Sequence, residues 1–179
     1  IELVKAELSD LPVPARAEIV IEGVIPANLR AHEGPFAEWP SHYTESGPKP
    51  YVKVKCITMR RDAIFYDVFA GHREHLVLGS LPRMGSVYRR VKQIVPGLVN
   101  VNVPAHARMH CYISYSKTSE SEARKAAFAA LLTEPENFKT IVLVDDDIDV
   151  FNESEVMWAI GTRCRAEKDV LLIPHWSDG

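Results

Sequence analysis

Cysteine is scarce and odd in number: Cys56, Cys111 and Cys164 are the only three. Three thiols at wide spacing build neither a disulfide framework nor a zinc ribbon, and they point to a reducing, cytoplasmic setting. Neither sign of charge is in surplus. The 21 Lys and Arg face 24 Asp and Glu, a net charge of -3, so no basic surface is offered to nucleic acid or to an anionic membrane. No apolar run approaches the roughly 18 residues that a spanning helix needs. GxGxxG, the P-loop and GxSxG are all missing, which leaves dinucleotide, ATP and serine-hydrolase chemistry without support. There is no internal repeat and no low-complexity tract. An initiator Met and a signal peptide are missing too, and the chain closes at Gly179, just after the apolar run VLLIPHW and Ser177-Asp178. The expectation is a piece of a longer protein, with part of any active site outside it.

What is present is globular. Hydrophobic residues make up 46% and charged residues 25%, enough for one domain or two small ones in 179 residues. The first third reads as strands: AEIVIEGVI (17–25), YVKVKCITMRR (51–61) with period-two alternation, and the shorter FYDVF (65–69). Residues 26–50 between them hold five prolines yet also Phe36, Trp39 and Tyr43. A connection that long is usually functional, and its aromatics argue against disorder.

The second half changes character. Residues 84–95 suit a helix that Pro96-Gly97 stops. LVNVNV (98–103) and MHCYISYS (109–116) read as strands. SESEARKAAFAALLT (119–133) is a helix with Ser119 and Glu122 as a capping box. KTIVLVDDD (139–147) is a buried-type strand, NESEVMWAIGTR (152–163) a helix capped by Asn152, and DVLLIP (169–174) a further buried-type strand. That order predicts an open α/β sheet with helices on both faces. The two parts are placed at 1–85 and 86–179.

Three places carry chemistry. HEGPFAEW (32–39) puts Glu33 and Glu38 around a Gly-Pro step, beside Phe36 and Trp39. On a helix those acids would lie about 140° apart, but Gly34-Pro35 disfavours a helix and a turn can aim both into one cavity. A carboxyl walled by aromatics beside a second carboxylate keeps its proton to higher pH and can serve as a general acid. The bland alternative is two solvated loop acids. VDDDIDVF holds Asp145, Asp146, Asp147 and Asp149 at a strand end, where open α/β sheets bind ligands. Such a cluster could hold Mg²⁺ or Mn²⁺ for a metal-dependent transferase, or simply solvate the turn and favour the next helix. His72 and His75 in GHREH have one-face helical spacing, which suits a metal pair or a surface helix. His175 and Trp176 follow a buried-type strand and are site candidates of lesser weight.

Taken in order, PARAEIVIEGVIP, HEGPFAEW, YVKVKCITMRRDAIFYDV and KTIVLVDDDIDVFNESEVMWAIGTR resemble the UbiD family of decarboxylases along nearly the whole chain. The most specific parts are EGPFAE and VDDDIDVFNESEVMWAIGTR. The resemblance implies reversible, non-oxidative decarboxylation of an aromatic, heteroaromatic or α,β-unsaturated acid with prenylated FMN. It implies the end part of a split β-barrel flavin module followed by an α/β oligomerisation domain, an α+β and α/β architecture. Glu33 takes the place of the first motif acid, which joins an Arg–Glu ion network. Glu38 takes the place of the proton donor. Trp39 and His175 are implied to line the substrate pocket, and GSLPRMG (79–85) to face it as a loop. Ala37 stands where the motif usually has Gly, restricting the backbone before the donor. The Arg partner, the cofactor-phosphate ligands, Mn²⁺ and a possible K⁺ are implied upstream, outside this chain, so the isolated piece is expected to be inactive. CO₂, a homo-oligomer (dimer or hexamer) and a prenyl-flavin synthase as cofactor supplier complete the implied partners. The same resemblance makes the Asp cluster structural. A transferase centred on Asp145, Asp147 and Asp149, and a non-catalytic assembly module, are the competing readings.

Overall fold

The computed structural model describes residues 1–174 and Trp176. The chain forms two compact units, Ile1–His72 and Arg73–Gly179. The break therefore precedes the expected boundary at 85/86, because a single helix runs across that position.

The first unit is built of antiparallel ribbons. β1 (Leu3–Lys5) pairs with β2 (Pro12–Pro14), β3 (Ile19–Val24) with β6 (Lys53–Met59), and β4 (Ala31–Glu33) with β5 (Gly47–Lys49). Among the described residues no strand set closes into a barrel. Period-two alternation places Ile19 opposite Met59 and Ile21 opposite Ile57, and directly opposite residues share a face. That apolar face is open, with Ile21, Ile57 and Met59 each more than half exposed. A bulge between Glu22 and Gly23 bends β3. The Glu22 carboxylate accepts the N–H groups of Glu7 and Leu8 at 2.8 and 3.0 Å, tying the β1–β2 ribbon to β3. The proline-rich connection 26–50 is ordered, since β4 and β5 form inside it. Residues 65–69, expected as a strand, form none. Phe65, Tyr66 and Phe69 stay exposed because no ladder among the described residues receives them.

The second unit carries α1 (Arg73–Lys92), β7 (Leu98–Asn102), β8 (His110–Tyr115), α2 (Ser121–Thr133), β9 (Thr140–Asp145), α3 (Glu153–Arg163) and the one-turn α4 (Ala166–Asp169). The sheet order is β7-β8-β9, antiparallel then parallel, with α2 as the crossover of the parallel pair. β8 alternates between two cores. Cys111, Ile113 and Tyr115 pack with Val87 and Val91 of α1 and Ala126 of α2. Tyr112 faces the other way, into Val144, Ile148, Val150 and Val156. Helices thus cover both faces of the sheet, as the sequence predicts.

α1 differs from its expected extent of 84–95. It continues through Gly79 and Pro82 because Leu76, Ser80, Val87 and Val91 make a buried stripe, and packing outweighs local propensity. GSLPRMG (79–85) is accordingly helix and not loop. His72 lies outside α1, so His72 and His75 do not share a helix face. DVLLIP (169–174) is not a strand either. α4 takes its start, and Val170, Leu171 and Leu172 are exposed without a ladder partner among the described residues. An apolar run signals readiness to be buried, whereas a strand needs a neighbour to pair with.

Candidate active site

Glu33 ends β4, and Glu38 lies within the excursion that joins β4 to β5. Glu33 is the last residue of β4 and pairs with Gly47. The chain then turns through Gly34 at φ 79° and a cis Gly34-Pro35 bond. Ala37 pairs with Tyr43 in an isolated antiparallel bridge. Between them, Ser41 N–H donates to the Glu38 carbonyl at 3.0 Å, closing a β-turn over Trp39 and Pro40. Glu38 N–H donates to the His42 carbonyl at 2.8 Å. Both backbone polar groups of Glu38 are therefore fixed, and its side chain leaves a held main chain. Ser41 stands at φ 65°, a sparsely populated region for a residue with a Cβ.

The turn is braced below. Thr44 N–H reaches the Phe36 carbonyl at 2.9 Å, and Phe36 N–H reaches Thr44 Oγ1 at 3.2 Å. Ser46 Oγ lies 2.9 Å from His32 Nδ1 and donates to the Gly34 carbonyl at 3.2 Å. Gly71, at φ 76°, backs onto the same turn. A Cβ placed there would lie 3.4 Å from Ser41 Oγ, 3.6 Å from the Trp39 carbonyl oxygen and 3.8 Å from that of Glu38. Ser41, His42, Thr44 and Gly71 were not singled out by the sequence. Pro40-Ser41 is a turn signal, and Gly71 breaks the chain between an aromatic stretch and α1; neither marks a role by itself.

Exposure at the site is uneven. Glu38 and Trp39 are half-buried, Glu33 is exposed, and Phe36 is 45% exposed. The aromatic wall expected around both acids is thus only begun by the described residues of this unit. The Glu38 carboxylate lies 3.4 Å from Trp39 N–H, a long contact that leaves its oxygens available. Ala37, in the place of a glycine, keeps a negative φ: among the described non-glycine residues only Asn28 and Ser41 have positive values. The turn therefore asks no left-handed backbone of Ala37. His175 lies outside the described residues. Trp176 donates its indole N–H to the Pro135 carbonyl at 3.1 Å, within the second unit.

The Asp cluster is engaged structurally. Arg163 forks onto Asp147 at 2.6 and 2.8 Å and reaches Asp145 at 3.3 Å, and it stacks 5.2 Å from the Trp158 ring centroid. The Arg163 hydrogen bond holds the Asp147 carboxyl below its ordinary pKa. Asp149 accepts Phe151 N–H at 2.9 Å, ordering the entry to α3. Asn152 begins α3 without a side-chain cap bond. Among the described residues no group of three or more His, Cys, Asp or Glu side chains is placed to hold a metal ion. The Thr44 and Ser46 hydroxyls are engaged within the loop, by Phe36, His32 and Gly34.

Two family descriptions match this chain. The 3-octaprenyl-4-hydroxybenzoate carboxy-lyase Rift-related domain matches residues 1–73, and the carboxy-lyase C-terminal domain matches residues 76–178. The chain belongs to the UbiD family. Its relatives include the anhydromevalonate phosphate decarboxylase of Methanothermobacter thermautotrophicus, 34% identical over 97% of this chain and 41% of that protein. The phenolic acid decarboxylase of Bacillus subtilis is 34% identical over 98% of this chain and 38% of its own length. Among solved structures, the UbiD-class enzyme HmfF from Pelotomaculum thermopropionicum in complex with FMN matches with a TM-score of 0.86 and 43% identity, over 94% of this chain and 38% of that one. An evolved dimeric form of HmfF in complex with prFMN matches with a TM-score of 0.88 and 40% identity, over 96% and 40%. This UbiD chain thus spans about two fifths of the length of the relatives it matches. Its mixed α+β architecture is that of the family, and no described helix is long and apolar enough to cross a membrane.

Proposed function

We propose that this chain is the proton-donor loop and C-terminal domain of a longer UbiD-type decarboxylase. The longer protein removes CO₂, reversibly, from an aromatic, heteroaromatic or α,β-unsaturated acid with prenylated FMN supplied by a prenyl-flavin synthase. The observation that carries this reading is the backbone of Glu38, pinned on both sides inside an EGPFAE turn of a UbiD-family chain. A general acid must meet the reacting carbon at a fixed point, and a pinned main chain provides that.

In this reading Glu38 delivers a proton to the carbon that has lost CO₂ and takes one from it in the reverse direction. Glu33, at the end of β4, closes an ion network with an Arg outside this chain. Trp39 and His175 flank the substrate, and Trp39 helps keep water from the donor. The flavin, when bound, supplies an electron sink for the substrate carbon. It, Mn²⁺ and any K⁺ are assigned to residues elsewhere in the longer protein, in keeping with the two fifths of its relatives' length that this chain spans. Homo-oligomer assembly through the second unit is part of the same proposal. Met157 and Trp158, both more than half exposed on α3, support it.

The test uses the full-length protein produced together with a prenyl-flavin synthase. Vanillic acid, 3,4-dihydroxybenzoic acid and anhydromevalonate phosphate serve as probes, since relatives and structural neighbours are named for them or for close analogues. Turnover of one probe, falling about a hundredfold or more in kcat in Glu38→Gln with KM little changed, is expected. A flavin-loaded protein in which Glu38→Gln runs at the wild-type rate contradicts the reading.

A further inference from the structure

The ribbon that carries the Glu38 turn is short. β4 and β5 pair over three residues each, and an isolated two-stranded ribbon is marginal in water. At its tip Ser41 holds a left-handed backbone that its Cβ disfavours. Such a tip keeps one shape only where a neighbour over-determines it. Gly71 is that neighbour: a Cβ on it would lie within 3.8 Å of Ser41 Oγ and of the carbonyl oxygens of Trp39 and Glu38. Those carbonyls flank the donor.

We propose that Gly71 is a positioning residue for Glu38. Its left-handed backbone sets the surface on which the Glu38–Ser41 turn rests, and so fixes where the carboxyl points. This rests on the reading of Glu38 as proton donor. The requirement is one of conformation and not of room. A methyl group at Gly71 would find its neighbours at 3.4–3.8 Å, ordinary contact distances. What alanine lacks is an easy φ of 76°. To relax, it must rotate the backbone and carry the supporting surface away from the turn. Asparagine is bulkier but tolerates the left-handed region. Conformation therefore orders the variants Gly, Asn, Ala from fastest to slowest. Bulk alone would place Asn last.

The experiment uses the full-length, flavin-loaded protein and whichever of the three probe acids the wild type turns over. The rate of deuterium exchange from D₂O into the product carbon is measured beside kcat, KM and the thermal midpoint. Gly71→Ala is expected to slow exchange and kcat on the order of tenfold at near-constant KM, with Gly71→Asn recovering most of the rate. Wild-type exchange in Gly71→Ala, or an Asn variant slower than Ala, overturns the proposal. If Gly71→Ala does not fold, Gly71→Ser carries the same φ penalty and is read the same way. Glu38→Gln, run in parallel, separates the two claims. If it exchanges normally, the donor reading falls and takes this inference with it. If it is inactive while Gly71→Ala is normal, only this inference falls.

Discussion

At the scale of single residues, the sequence is most informative where chemistry demands a residue type. Glu33, Gly34, Pro35 and Glu38 were legible as a turn carrying two acids. Their supports were not, because Ser41, His42 and Gly71 act through backbone groups and Thr44 through backbone and one hydroxyl, and no residue type announces that. The Asp cluster shows the reverse problem. Four carboxylates in five positions suggest a metal, yet Arg163, distant in sequence, takes two of them. A different residue gives a direct stability test. Ser114 on β8 is 1% exposed and its hydroxyl has no hydrogen-bond partner among the described residues. An unpaired buried hydroxyl costs free energy that removing it restores. Ser114→Ala is therefore expected to leave stability unchanged or raise it by up to about 1 kcal/mol in urea titration. A clear loss would mean that the hydroxyl is bonded in the folded protein.

At the scale of elements, hydrophobic period identified β3, β6, β7, β8, β9, α2 and α3, because each buries or pairs along its own pattern. It failed at 65–69 and 169–174, where the pattern exists without a partner, and over the first half of α1, where packing overrides Gly79 and Pro82. Ile113, at the centre of β8 and fully buried, should be costly to truncate. Ile113→Ala is expected to lose about 2–5 kcal/mol by chemical denaturation. A loss well under that range would mean that the core collapses around the site.

The start of α2 is a second element-level test. Only half of the predicted capping box forms. Glu122 reaches back to the N–H of Ser119 at 3.2 Å and also takes the N–H and hydroxyl of Thr118 at 2.8 and 2.7 Å. Ser119 Oγ instead meets Ser121 Oγ. The Thr118 bonds hold the Glu122 carboxyl below its ordinary pKa. A depressed folded pKa contributes stability above the unfolded value, and that contribution is lost as pH falls through the folded one. Glu122→Gln should thus lower the thermal midpoint at neutral pH, with the gap to wild type closing below the ordinary carboxyl pKa of 4.5. A gap that persists unchanged in acid would argue for a packing role.

At the scale of the whole molecule, the division into two units was legible as a change from ribbons to α/β pattern, though not its position. The chain spans about two fifths of its relatives' length. Expressed by itself, it is expected to stay colourless with prenylated FMN and to leave all three probe acids intact by product analysis. Flavin retention by this chain alone would place the cofactor seat within it. The most direct test of the central claim is deuterium incorporation from D₂O into the decarboxylated product of the full-length, flavin-loaded protein, with wild type beside Glu38→Gln. The account predicts label at the carbon that lost CO₂ in wild type and its loss in the variant. Equal labelling in both would show that the proton comes from elsewhere, and the donor role of Glu38 would be wrong.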